Sequence, residues 1–266
     1  MISPLASIHP NAKLGNNVII EPFAVIHENV IVGDGTHIMS HSVIMPYSRI
    51  GNGCRIFPGA VIGAIPQDLK FIGEETTAEI GDNTTIRECV TINRGTVDKW
   101  KTVIGKNCLL MAYSHVAHDC MIGNNVILAN AVQLAGHVEI GEYAIIGGLT
   151  GAHQFTRIGA HTYIAGHTVI RKDVPPYVKA AREPMSYMGL NIVGLQRRNF
   201  TAEQIQTISE IYHIMFIQNR TTSKAISVIN DTIAPGEFKD EILKFVQNSK
   251  SGIIKRYSKN DVVDED

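Results

Sequence analysis

The chain has 266 residues, 44% of them hydrophobic, and a formal net charge of −1 from 24 Lys and Arg against 25 Asp and Glu. Such a length suits one large domain or two smaller ones, and the near-neutral balance gives no reason to expect nucleic acid or an anionic membrane as partner. The opening MISPLASIHPNAKLG lacks the basic and apolar regions of a signal peptide, and no apolar run is long enough for a transmembrane helix. A cytoplasmic protein, not an integral membrane one, is expected.

From Ile2 to Ile170 the sequence keeps a six-residue period. Every sixth position is Ile, Leu or Val except Asp68, Glu74, Asp98 and Ala152. Aliphatic-Gly pairs begin at Leu14, Val32, Ile50, Ile80, Ile104, Ile122, Ile140 and Ile158, at intervals that are all multiples of six and mostly 18. Two residues before each aliphatic stands a small or β-branched residue, among them Cys54, Ser114, Cys120 and Thr162. Alternate residues of a strand share a face, so both point inward, and a turn carrying Gly, Asn or Asp follows. Three such strands per coil give a parallel β-helix, a solenoid with coils about 4.8 Å apart. Three of the four cysteines (Cys54, Cys108 and Cys120) fall on the small inward position, which makes them core residues and not redox or metal chemistry.

The period loses its apolar phase at Asp68 and Glu74, in AIPQDLKFIGEET, and at Asp98, in NRGTVDKWK. Two loops, near 64–78 and 93–102, are expected to leave the prism there, and such interruptions usually carry function. The β-helix spans 1–174 on this reading. Pro175 and Pro176 end the ladder, a connector covers 175–190, and an α-helical C-terminal domain takes 191–266. Within it Thr201 and Gln204 form a capping box, shorter helices are expected near 222–232 and 236–248, and the polar end KNDVVDED is read as a frayed tail.

The repeat also orients the histidines. His115 stands between inward Ser114 and Val116 and so points outward, while His118 and Asp119 lie in the following turn and are expected to face out as well. His137 is one coil above Asp119 at the same corner, and His153 falls near that edge two coils above His118. A lone outward histidine is more often inert, but four on one edge beside an acid suggest a site. A carboxylate next to His118 makes it a candidate general base. An open zinc site built from histidines of neighbouring coils is the competing reading, although His115 and His118 leave the chain from strand and turn and would diverge. The packed prism leaves no internal pocket. Outward Leu109, Ile127, Ile145 and Tyr163 form an apolar stripe that suggests an interface, hence a homo-oligomer with its sites between subunits.

The repeat together with IPQDLKF, TINRGT, HVAHDC, LAGHV, IIGGLTGAHQF, DVPPYV and NIVGLQRRNF resembles the UDP-N-acetylglucosamine O-acyltransferases that begin lipid A biosynthesis, over nearly the full length. The resemblance implies a homotrimer of left-handed parallel β-helices. It also implies transfer of an (R)-3-hydroxyacyl chain from acyl carrier protein to the 3-hydroxyl of UDP-N-acetylglucosamine, with no metal and no cofactor beyond the donor's phosphopantetheine. By the same resemblance His118 is the general base and Asp119 its partner. Gln67, Asp68, Lys70, His115, His137, His153, Gln154, Asn191, Arg197 and Arg198 bind substrate, and Gly166 stands where side-chain bulk limits acyl length. Val193 and Pro184 depart from the pattern, replacing an acid and a histidine. The related N-acyltransferase later in that pathway carries an extra N-terminal domain for which a repeat starting at Ile2 leaves no room. A non-catalytic β-helix scaffold is the reading furthest from these motifs.

Overall fold

The computed structural model describes residues 1–218 and 221–257, so the KNDVVDED tail lies outside the described residues. Each hexapeptide contributes a strand of two to four residues, such as Leu109–Leu110, His115–Val116 and Met121–Ile122. The chain is a left-handed parallel β-helix with a small helical C-terminal part, and the strands stack into three parallel sheets. The first runs from Ser7–Ile8 to Val169–Ile170, the second from Lys13–Leu14 to Arg157–Ile158, and the third begins at Ile19–Ile20.

Register is kept by the period: Leu109 pairs with Ile127, Ile127 with Ile145, and Ile145 with Tyr163. Where the loops leave, the step lengthens, and Val61 pairs with Thr91 and Thr77 with Lys101. The periodic aliphatics fill the prism, with Ile38, Ile56, Leu110 and Val116 fully buried. Cys54, Cys108 and Cys120 are free and buried among them, and burial pushes the Cys120 thiol up to about 12.

A second clock runs three residues behind the aliphatics. At nearly every corner one residue has φ near +60°: Asn17, Asn29, Asn107 and Asn125, but also Tyr47, Tyr113, Phe155 and His161. Asn tolerates this region by local hydrogen bonding, whereas an aromatic there costs on the order of 1 kcal/mol that the ladder on either side must over-determine. The expectation of Gly, Asn or Asp in the turns is therefore too narrow. The corners bring their side chains into columns, and this positions the site.

Pro175 and Pro176 end the six-residue repeat but not the sheet. Val178–Ala181 pairs in parallel with Tyr163–Ile164, and Ser186–Leu190 folds back antiparallel on it, so the expected connector adds strands to the third sheet. Lys255–Arg256 closes that sheet. Between lie α1 (Ile192–Arg197), α2 (Ala202–His213, continued by a π-helical turn Ile214–Gln218), α3 (Thr222–Thr232) and α4 (Glu237–Gln247). The Thr201–Gln204 capping box is present. Helix α4 seats on the prism through Phe245, under the Arg157 guanidinium at 4.5 Å, and through Glu241, which accepts a hydrogen bond from Tyr177. No helix among the described residues is long and apolar enough to cross a membrane.

A candidate active site at the first corner

His118 and Asp119 stand at the corner between the first and second sheets, just after the strand His115–Val116. Both leave the prism outward, as expected, but toward a covering loop and not toward open solvent. His118 is 5% exposed and Asp119 fully buried, because the loop 94–100 folds back over the corner.

Asp119, held at φ 58°, is the anchor. Its Oδ1 accepts from the backbone N–H of Thr96 at 2.9 Å and of Lys99 at 3.2 Å. Its Oδ2 accepts from Thr96 Oγ1 at 2.6 Å and from His118 Nδ1 at 2.8 Å. Its own N–H donates to Thr102 Oγ1 at 2.9 Å. Burial alone would raise this carboxyl, but the hydrogen bonds from Thr96 and His118 outweigh it and hold the group below the usual carboxylate range. An ionised Asp119 only accepts, so the shared proton sits on His118 Nδ1 and the lone pair is left on Nε2. Nε2 lies 4.0 Å from Asp68 Oδ2, which comes from the other loop.

The coil above fits around this ring. Gly136 stands one 18-residue step beyond His118, and a Cβ there would come within 2.6 Å of the imidazole. His137 packs edge-on to His118 with centroids 5.1 Å apart, and Phe155 stacks on His137 at 4.4 Å. Burial pushes the His137 imidazole down, with Asp119 opposing. Its Nδ1 is 3.2 Å from Asp98 Oδ2 but off the line of a hydrogen bond. A groove of about 520 Å³ opens beside it, lined by Asp98, Lys99, His137, Phe155 and Arg157 among others.

The ligand atoms of His118, Asp119 and His137 lie within 4.8 Å of one another, so the zinc reading can be tested on their chemistry. It fits poorly. All four lone-pair directions of the Asp119 carboxylate are taken, His118 Nδ1 is a donor, and the next residue of the column is Phe155 and not a third histidine.

The remaining expected residues divide by corner. His115 lies on the strand face with Nδ1 2.7 Å from Thr91 Oγ1, and burial lowers its pKa. His153 is exposed two coils above Ala117, so only His118 and His137 of the four histidines meet, while Gln154 stands above Gly136. Gln67 and Lys70 are exposed on the 65–76 loop with Asp68. Asn191, Arg197 and Arg198 belong to the second corner. Asn191 caps α1 and donates to His161 O at 2.9 Å. Arg198 donates to Tyr143 O at 2.9 Å and lies over that ring, while Arg197 is exposed. His161 is stacked between Tyr143 and Tyr177, and burial with the Arg198 charge lowers its pKa to about 4. Gly166 is at the third corner, where a Cβ would come 2.9 Å from Gly148 O. One chain therefore spreads these residues over three edges.

Sequence reasoning missed Thr96, Thr102, Gly136 and Phe155. Thr96 and Gly136 lie in the motifs TINRGT and LAGHV, and a step of 18 from His118 would have found Gly136.

Residues 173–254 match the model of the family described as Udp N-acetylglucosamine O-acyltransferase, domain 2, and residues 29–64 and 101–136 match bacterial transferase hexapeptide repeats. An acyl-[acyl-carrier-protein]--UDP-N-acetylglucosamine O-acyltransferase of Verminephrobacter eiseniae is 44% identical over 64% of this chain and 65% of its own. The one of Anaeromyxobacter is 41% identical over 74% and 77%. The crystal structure of a UDP-N-acetylglucosamine acyltransferase from Bacteroides fragilis superposes with a TM-score of 0.94 at 51% identity, covering 96% of this chain and 100% of that one.

Proposed function

Because the chain belongs to the UDP-N-acetylglucosamine O-acyltransferase family, we propose that it transfers an (R)-3-hydroxyacyl chain from acyl carrier protein to the 3-hydroxyl of UDP-N-acetylglucosamine, the first step of lipid A biosynthesis, with His118 as general base. The observation that carries the mechanism is the buried dyad: Asp119, saturated with hydrogen bonds, holds His118 Nδ1 at 2.8 Å and leaves Nε2 free.

The sugar hydroxyl attacks the thioester carbonyl while Nε2 takes its proton. The tetrahedral intermediate collapses, the C–S bond breaks, and the imidazolium returns the proton to the departing pantetheine sulfur. An ester and a free thiol result, and Asp119 stabilises the transient positive charge. Asp68, beside Nε2, is placed to contact the acceptor sugar. Asn191, Arg197 and Arg198 suit a diphosphate or the carrier's phosphate by charge-assisted bonding. They occupy another edge of the prism, so the reading is a homotrimer in which the first corner of one subunit faces the second and third corners of its neighbour. Gln67, Lys70, His115, His137, His153 and Gln154 line that cleft, and Gly166 leaves room along it for an acyl chain. The enzyme works in the cytoplasm and needs no resident cofactor.

The test is His118→Ala, assayed with UDP-N-acetylglucosamine and hydroxyacyl-carrier donors with the product read by mass. Turnover falls by roughly 10²-fold or more with oligomeric state unchanged. Undiminished turnover would remove His118 from the chemistry.

A further inference from the structure

The two loops beside the dyad are one unit, welded at their base. Arg94 N–H donates to Ala64 O at 2.9 Å and Asn93 Nδ2 to Ile65 O at 3.1 Å. Gly95 N–H donates to Thr77 O at 3.1 Å, and Thr76 Oγ1 to Gly95 O. The second loop then goes on to hold Asp119 through Thr96 and Lys99, while the first carries Asp68 to His118.

What keeps the outer part of the first loop down is less obvious. Of its Ile65, Leu69, Phe71 and Ile72, only Phe71 is turned in, and Leu69 and Ile72 are almost wholly exposed. The Arg94 guanidinium lies over two rings, 5.2 Å from the centroid of Phe71 and 5.1 Å from that of Tyr47. Arg94 is 7% exposed and its Nε is buried without a hydrogen-bond partner. A buried cation with an unmatched donor costs stability, and against that cost stand the two aromatic rings and the charges of Glu74 and Glu75 on the same loop.

Resting on the function proposed above, we infer that Arg94 is a positioning residue: its guanidinium, in contact with both Tyr47 and Phe71, fixes the 65–76 loop so that Asp68 stays beside His118 Nε2. It touches neither His118 nor Asp119 and acts through Asp68.

The experiment is a double-mutant cycle on the full-length enzyme, with kcat and KM for UDP-N-acetylglucosamine measured for Arg94→Met, Asp68→Asn and the pair. Each single variant loses kcat by about tenfold, and the pair loses no more than about twofold beyond Asp68→Asn alone. Arg94→Lys keeps the charge but not the flat face and stays as impaired as Arg94→Met. Phe71→Leu, which removes one wall without stranding a charge, shows the same non-additivity should Arg94→Met fail to fold. Losses that multiply, an unaffected kcat in either single variant, or full rescue by lysine would overturn the assignment. Hydrogen exchange gives a readout independent of activity: amides of 65–76 exchange faster in Arg94→Met while those of His115–Val116 do not. Unchanged exchange overturns the inference even if the wild type proves inactive on this acceptor, an outcome that would by itself refute only the proposed function.

Discussion

At the scale of single residues, the site depends on one carboxylate whose every acceptor direction is in use. The hydroxyl of Thr96 is the donor most open to test, since its bond to Asp119 Oδ2 is the shortest of the four at 2.6 Å. Thr96→Val preserves shape and leaves the backbone N–H in place but removes this hydrogen bond to an ion, worth about 1.5–3 kcal/mol. The dyad then loosens, kcat falls by roughly tenfold with KM little changed, and Thr96→Ser restores most of it. Steady-state kinetics on the three proteins checks this, and a change in KM alone would show that Thr96 serves binding instead. His118 and Asp119 were legible as a pair because adjacency and the six-residue period place them together. Their burial was not, because it depends on where a loop goes. Asp98 breaks the periodic pattern and so marks a departure from the prism, but nothing in that break says that Thr96, two residues earlier, returns to cover the turn.

At the scale of elements, the corner columns decide which side chains meet. The second corner stacks Tyr143, His161 and Tyr177, with Phe200 edge-on and Arg198 and Asn191 packed against them. His161 is buried, its Nδ1 lacks a partner, and its pKa in the fold is about 4 against about 6.5 when unfolded. The unfolded chain therefore takes up a proton that the native one refuses, and stability present above pH 6.5 is lost as the pH falls from about 6.5 toward about 4. His161→Phe removes that contribution, and Phe155 shows that the left-handed corner accepts phenylalanine. The melting temperature of the variant falls less than that of the wild type between pH 7 and 5. Parallel curves would mean that His161 is protonated in the fold. The strands, their inward residues and the C-terminal helices were readable because they follow periods of 2, 6 and 3.6. The strand Val178–Ala181 was not, since two prolines end the repeat while the sheet goes on beyond them.

At the scale of the molecule, residues assigned to one reaction stand on three edges of a prism, and the proposed contact between copies would bring them together. Active-site complementation tests this. Arg198→Ala and His118→Ala chains, each impaired alone, are co-expressed so that the proposed trimers would form mixed. If a site takes His118 from one subunit and Arg198 from the next, random mixing gives about a quarter of the sites both residues and recovers activity accordingly. No recovery would place the whole site within one chain. The apolar stripe of Leu109, Ile127, Ile145 and Tyr163 was legible as an outward row, but the division of the site among edges was not, because the period assigns a face and gives no partner. The weld between the loops has a further consequence. In the N-terminal coils ahead of the loops each coil bonds only to its neighbours, so that end of the solenoid can melt coil by coil, as a zipper opens. The cross-links from 93–95 to 64–77 bind two successive coils into a block that must open all at once. The catalytic corner leans on that block, and heat or denaturant that frays the first coils will leave a shortened but still competent rod until the block itself gives way.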